Sequence, residues 1–276
     1  MSVVLSASLG QSRSELWAII DQMGCESSTS KPIPDKYKSI KEVQTAIRQA
    51  GLESSNLIFG IDYTKSNLYT GERTFNGRNL HDASVENPYM QVIRLIGETL
   101  EPFDDDHIIP SFGFGDIYTS DKSVFPFFPD REPVGFMEVL DRYRGITPGI
   151  NLSGPTNFAP LIHKAIEIVK KERSYHILII VTDGEVTAEK ATSEAIVEAS
   201  NYPLSIICIG VGDGPWDLMK KFDDKLPTRK FDNFQFVEFH AIQRKYSENF
   251  APMFAMHCLM EIPEQYKYIK KLGYLG

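Results

Sequence analysis

Cysteine is scarce in this 276-residue chain: Cys25, Cys208 and Cys258 are odd in number and far apart. No C-x-x-C pair occurs, which removes a disulfide framework and a cysteine-based metal ladder, and a reduced, cytoplasmic compartment is the expectation. Cys208 and Cys258 lie in apolar segments and read as small hydrophobes. Long hydrophobic runs are lacking as well. No stretch approaches the roughly 20 apolar residues that cross a bilayer, so direct membrane insertion is not expected. The opening Met1-Ser2-Val3-Val4-Leu5 has no cationic cluster and no glycine at position 2, so neither a secretory leader nor N-myristoylation is expected from it. Positive charge is in deficit, with 29 Lys and Arg against 37 Asp and Glu and a net charge of −8. Nucleic-acid affinity rests largely on Lys and Arg contacts to phosphate, so no nucleic-acid partner is expected, and nothing polybasic draws the chain to anionic lipid.

What is present suits one large domain with a real core: 42% apolar and 24% charged residues. Residues 1–35 read as an arm or linker with a short helix around 15–23, followed by the polar run Ser27-Ser28-Thr29-Ser30. Residues 36–276 read as the main domain. Apolar residues at helical spacing predict a helix over 39–50, with Gly51 at its C-terminal cap. Further helices are expected over 88–101, 135–143, 157–171, 188–200, 216–222 and 248–260. Strands are expected over 56–62, 108–115, 175–182, 204–211 and 234–239, with an aromatic edge piece over 124–128. The run Tyr175-His176-Ile177-Leu178-Ile179-Ile180-Val181-Thr182 suits a strand buried on both faces. Strands alternating with helices predict an α/β fold, a mainly parallel central sheet with helices on both faces.

The first strand runs into Asp62-Tyr63-Thr64-Lys65-Ser66, where alternate residues are a carboxylate and two hydroxyls. A spacing of two puts such side chains on one side of the chain. Gly154-Pro155-Thr156-Asn157 and Thr182-Asp183-Gly184 supply one more hydroxyl and one more carboxylate. Ligands of open α/β sheets bind at the C-terminal ends of the strands, and Asp62 and Asp183 both end strands. The candidate metal ligands are therefore Asp62, Thr64, Ser66, Thr156 and Asp183. An oxygen-only set suits Mg²⁺ or Mn²⁺, with Ca²⁺ a weaker expectation, and suits zinc poorly. With only two carboxylates and weakly donating hydroxyls the ion stays electrophilic, so the expected partner is a protein offering an exposed Asp or Glu. Lys65, Asn67 and Asn157 are candidate partner contacts.

These segments together resemble the metal-ion-dependent adhesion site of von Willebrand factor A domains, with its Asp-x-Thr-x-Ser, Gly-Pro-Thr-Asn-Phe and Thr-Asp-Gly pieces. Beyond the site, Ser111-Phe112-Gly113-Phe114-Gly115, Phe236-Val237-Glu238-Phe239 and Glu261-Ile262-Pro263-Glu264-Gln265 resemble the A domain of copines and of the plant copine-like RING ubiquitin ligases. Gly212-Asp213-Gly214-Pro215-Trp216-Asp217 is more similar to the ligase branch. The resemblance covers about 36–270 and implies a Rossmann-like von Willebrand factor A fold. Residues 1–35 are too short for the copines' C2 domains, and no Cys/His ladder of a RING follows. Membrane docking and ubiquitin transfer are accordingly not expected of this sequence, and any nuclear or peripheral membrane association would run through partners.

Several motifs have two readings. An accessory or substrate-binding role in a ubiquitin-ligase or signalling complex stands as one alternative function, on analogy alone. A metal-dependent hydrolase stands as another, although Thr64 occupies the position where a phosphatase of the Asp-x-Asp type needs its second carboxylate. Gly210-Val211-Gly212-Asp213-Gly214 reads as a turn before it reads as a nucleotide loop, because Pro215-Trp216 interrupts the helix opening. Asp104-Asp105-Asp106 and Asp223-Asp224 read as solvated acidic loops. His163 and His176 lack the paired spacing of a zinc site. The phenylalanines at 112, 114, 125, 127 and 128 read as core or edge packing, or else as an aromatic platform for a partner.

Overall fold

The structure is a computed structural model that describes residues 33–34, 36–184, 186–226 and 228–275. The expected arm over 1–35, with its short helix and Cys25, lies almost wholly outside the described residues. Ile33 opens the described chain, and its N–H donates to the buried Asp232 carboxylate at 3.0 Å.

Helix α1 is Ile40–Gln49, and Ser39 caps it by accepting from the Glu42 N–H. Strand β1, Asn56–Asp62, follows. Helix α2, Pro88–Leu100, starts where Asn87 accepts from the Met90 N–H and proline takes the first turn. Strands β2 (Ser111–Phe114) and β3 (Phe125–Pro126) come next, then helices α3 (Gly135–Ile146) and α4 (Ala159–Glu172). The remaining order is β4 (His176–Thr182), α5 (Glu189–Ala199), β5 (Leu204–Gly210), α6 (Asp217–Asp224) and β6 (Phe234–Glu238). Helices α7 (Phe239–Lys245), α8 (Phe250–Leu259) and α9 (Ile262–Lys271) close the chain.

Six strands form one sheet in the order β3-β2-β1-β4-β5-β6. All pairs are parallel except the antiparallel edge pair β2–β3. Alternation along the strands sorts side chains between two cores. Leu57, Phe59, Ile177, Ile179, Val181, Ile207 and Ile209 face the core shared with α1, α2, α3, α8 and α9. Ile58, Leu178, Ile180, Ile206 and Cys208 face the core shared with α4, α5 and α6. Both faces are thus covered, which is why the central strands read as unbroken apolar runs.

Several expectations change at the element ends. The strand expected over 108–115 keeps only Ser111–Phe114. The closing helix expected over 248–260 is present as α8, and two helices that were not expected, α7 and α9, flank it. The chain turns directly from β6 into α7 at Phe239, so an apolar residue that continued the strand pattern opens a helix instead. In α9, Pro263 sits in the first turn, where its missing N–H costs nothing. The acidic pairs are also corrected: Asp104 is buried, and Asp223 is a half-buried residue of α6.

Close packing of α4 on β1 requires glycine at position 60. A Cβ there would stand 2.1 Å from Leu161 Cδ2, and Leu161 is itself fully buried. Gly60→Ala should lower stability by about 1–3 kcal/mol, the usual cost of overpacking a filled core. Urea unfolding of the two proteins measures it, and unchanged stability would contradict this packing.

Candidate functional site

The sheet reverses its winding direction between β1 and β4, which lie side by side. Their C-terminal ends therefore open a crevice between two diverging loops, the place where doubly wound sheets bind ligands. Asp62 ends β1, and Asp183 follows β4 directly. Both carboxylates are buried.

Asp62 Oδ1 accepts the Thr64 N–H at 2.8 Å, and Asp62 Oδ2 accepts the Thr182 hydroxyl at 2.5 Å. The register that pairs Ile61 with Val181 makes Asp62 and Thr182 neighbours across the two strands. Asp183 Oδ1 accepts the Ser66 hydroxyl at 3.0 Å, and Asp183 Oδ2 accepts the Thr70 hydroxyl at 2.5 Å. Thr64 Oγ1 and Ser66 Oγ are 3.0 Å apart. Four of the five expected ligands are thus joined in one hydrogen-bonded cluster. Thr156 arrives through its backbone. The adjoining Ser153 bridges to Thr64, the Lys65 N–H donates to the Ser153 carbonyl at 2.6 Å, and the Thr156 carbonyl accepts the N–H of Thr187 beyond Asp183 at 3.0 Å. The Thr156 loop is in this way bound to both aspartate loops, with its side chain buried.

A wall of aromatic rings supports the turn from beneath. The His81 ring stacks between Tyr63 and Tyr89, with centroids 4.6 and 4.2 Å away. Its Nε2 donates to the Asp62 carbonyl at 2.7 Å, and its Nδ1 accepts from the Tyr143 hydroxyl at 2.8 Å. Burial holds His81 down at about 3, so the ring is neutral and these donor and acceptor roles are set. Gly115 completes the wall on the β2 side. Its φ of +81° is in the left-handed region, and a Cβ would stand 2.4 Å from Thr64 Cγ2.

The three expected partner contacts divide. Lys65 is exposed. Asn67 is corrected: it is fully buried, its amide donating to the Thr64 carbonyl at 3.0 Å and accepting from the Tyr89 hydroxyl at 2.7 Å. A side chain that close to Ser66 in sequence turns inward because the chain coils into a short 3-10 helix, Lys65–Leu68. Asn157 is half-buried and committed at both ends, donating to the Asp121 carbonyl and accepting from the Ala159 N–H. Thr70, Thr182 and His81 are contributors that the sequence reading passed over. Thr70 stands four residues after Ser66, a helical spacing visible only once the coil after Ser66 is recognised. Thr182 needed the register, and His81 carries no local signal.

Electrostatics identify what the cluster lacks. Burial raises the Asp183 carboxyl to about 7, aided by the charge of Asp62, and burial likewise raises Asp62. Hydroxyl and backbone donors offset part of this, and no cationic side chain contributes. No group of three or more His, Cys, Asp or Glu side chains arranged for a metal occurs among the described residues. Two desolvated carboxylates amid hydroxyl oxygens fit a hard divalent cation, which would supply the missing positive charge.

A mainly parallel doubly wound sheet with Asp-x-Thr-x-Ser closing its first strand, and Thr and Asp loops converging on it, is the architecture that the sequence's resemblance to von Willebrand factor A domains implies. The profile of the Copine family matches residues 79–276, and the chain belongs to that family. It is 54% identical over 245 residues to Copine family protein 2 of Caenorhabditis elegans, covering 87% of this chain and 3% of that protein. It is 51% identical over 261 residues to the E3 ubiquitin-protein ligase RGLG4 of Arabidopsis thaliana, covering 88% of this chain and 65% of the ligase. The chain thus spans less than two thirds of either relative. Among solved structures, the manganese-loaded Plasmodium vivax TRAP protein aligns with a TM-score of 0.48 at 12% identity, over 71% of this chain and 72% of that one. A von Willebrand factor type A protein from Catenulispora acidiphila aligns with a TM-score of 0.46 at 14% identity, over 74% and 43%.

A carboxyl whose pKa is raised on folding binds its proton more tightly in the folded chain. In chelator, the chain should therefore lose stability as pH rises from about 4 through about 7. Asp183→Asn should flatten that slope, because the amide carries no charge to desolvate and the Thr70 hydroxyl can rotate to accept from it. Thermal melts across this range in EDTA compare the two, and an equal slope in both would contradict the assignment.

Proposed function

We propose that the domain is a protein-interaction module in which a divalent cation, Mg²⁺ or Mn²⁺, held by Asp62, Thr64, Ser66, Thr156 and Asp183, accepts an Asp or Glu side chain of a partner protein. The observation that carries this reading is the pair of buried carboxylates with no internal cation, ringed by hydroxyl oxygens. Such a cation, when bound, supplies an electrophilic centre with room for one more hard oxygen. The chain's own residues do the rest. Asp62 and Asp183 supply the charge, and Thr182 and Thr70 orient their outer oxygens. The hydroxyls keep the negative charge of the set at two, so an incoming carboxylate is not repelled. The His81 stack holds the Asp62 peptide while the loops engage.

Nothing in the cluster provides a nucleophile paired with a base. His81 is neutral, stacked and hydrogen-bonded at both nitrogens, and Tyr63, Tyr89 and Tyr143 are held well above their usual range by burial. Binding rather than hydrolysis is therefore the function these residues favour. Relatives such as the ligase RGLG4 are named for ubiquitin transfer. We place this domain on the recognition side of such a protein, selecting a partner, and in the cytoplasm.

Calorimetric titration of metal-stripped protein with Mg²⁺ and Mn²⁺ tests the site. One-site binding should be seen, and should be lost in Asp62→Ala and weakened at least about tenfold in Thr156→Ala. Bound metal at about a hundred times its Kd should add about 2.7 kcal/mol to stability. Binding unchanged in Asp62→Ala would overturn the reading.

A further inference from the structure

Among the described residues most large apolar side chains are buried, and the two most exposed, Tyr118 and Tyr69, both stand beside the site. Ten stand exposed among the described residues, and four of them are on two short loops attached to the site. Leu68 and Tyr69, 38% and 68% exposed, stand two and three residues after Ser66. Their turn is closed by the Tyr69 and Thr70 N–H groups, which donate to the Ser66 carbonyl at 2.8 and 3.0 Å. Ile117 and Tyr118, 58% and 87% exposed, stand on the loop after Gly115, the residue packed against Thr64.

Neither pair is exposed for want of structure. The loop carrying Ile117 and Tyr118 is pinned on its inner side by the buried Asp116, whose Oδ1 accepts both the N–H and the hydroxyl of Thr119. It is fastened to the Thr156 loop at three further points. The Ile117 N–H donates to the Asn151 carbonyl at 3.0 Å, the Ser120 hydroxyl to the Gly154 carbonyl at 3.0 Å, and the Asn157 amide to the Asp121 carbonyl at 2.9 Å. Tyr118 is exposed on a turn that these hydrogen bonds fasten on either side of it. Burying apolar surface is favourable at about 25 cal/mol per Å², so a fixed loop that presents tyrosine and isoleucine to water forgoes stability unless something covers them. Tyrosine is also the residue type most enriched, with Trp and Arg, where binding energy concentrates. Exposed lysines, Lys65 and Lys122, flank the same loops on a chain whose net charge is −8. The exposed Glu72 and half-buried Asp121 stand nearby in sequence.

We propose that Leu68, Tyr69, Ile117 and Tyr118 form an apolar collar that reads the residues beside a metal-held carboxylate, so that the partner is a protein segment in which an Asp or Glu stands close to a large apolar side chain. This rests on the metal-bridge reading and deepens it. The carboxylate supplies attachment and the lysines favour its approach. The collar supplies discrimination, since a carboxylate alone is common to every acidic surface. An extended segment advances about 3.4 Å per residue, so a side chain within about two residues of the acidic one reaches a collar built on the adjacent loops.

Selection from a random-peptide phage library tests it, with the Mn²⁺-loaded chain as bait and EDTA for elution. Eluted peptides should carry Asp or Glu with a Leu, Ile, Phe, Tyr or Trp within about two residues. Tyr118→Ser and Ile117→Ser should each weaken the selected peptides at least about tenfold, while leaving the Mn²⁺ titration and the thermal melt unchanged. Chelator-eluted acidic peptides with no apolar preference, or with affinity unchanged in both variants, would overturn the collar and leave the metal bridge standing. Peptides that need Tyr118 but bind equally in EDTA would also overturn it, because the collar would then act without a metal-held carboxylate. No chelator-eluted peptide at all, from protein that binds Mn²⁺, would overturn the metal bridge and the collar with it.

Discussion

Two carboxylates are buried at the junction of β1 and β4, and among the described residues no cationic side chain meets them. Burial alone would disfavour their ionised forms, and their closeness adds to this. The surrounding structure answers with donors: the Thr64 N–H and Thr182 hydroxyl on Asp62, and the Ser66 and Thr70 hydroxyls on Asp183. Hydroxyls offset part of a buried charge without neutralising it. A site built this way retains a demand for a cation, and that retained demand gives the fold its chemistry.

Such a site has to be held rigidly, or the carboxylates would relax toward water or toward each other's protons. The holding is done by parts remote in sequence. His81, fixed between two tyrosines, fastens the Asp62 carbonyl, and Asn67 fastens the turn below it. Gly115 lets the β2 loop lie against Thr64, and Ser153 ties the Thr156 loop to the same turn. The floor is aromatic and closed, whereas the rim above it is apolar and open. One contrast in burial separates what fixes the site from what faces a partner.

Membership of the Copine family accords with this division. Relatives as different in overall length as the nematode Copine family protein 2 and the plant ligase RGLG4 share about half of their residues with this chain over its main domain. A domain of this sequence type can therefore sit within proteins of very different overall length.

Much of this was legible from residue order, because the signals concerned are local. Apolar runs marked the buried strands, apolar residues at helical spacing marked the helices, and the hydroxyl and carboxylate spacing at 62–66 marked the candidate site together with Thr156 and Asp183. Of the three helices beyond β6, the first and the last were harder to read: α7 begins on a residue that continues a strand pattern, and α9 carries proline in its first turn. Thr182 as the partner of Asp62, Asn67 turned inward, and His81 beneath the site were not legible at all. Each depends on strand register or on stacking between segments far apart in the chain, and no pattern within a single segment encodes either. The sequence determined which carboxylates and hydroxyls stand at the strand ends. The tertiary structure alone decided that two of those carboxylates are buried side by side without a counter-charge, because charge compensation is a property of neighbours in space.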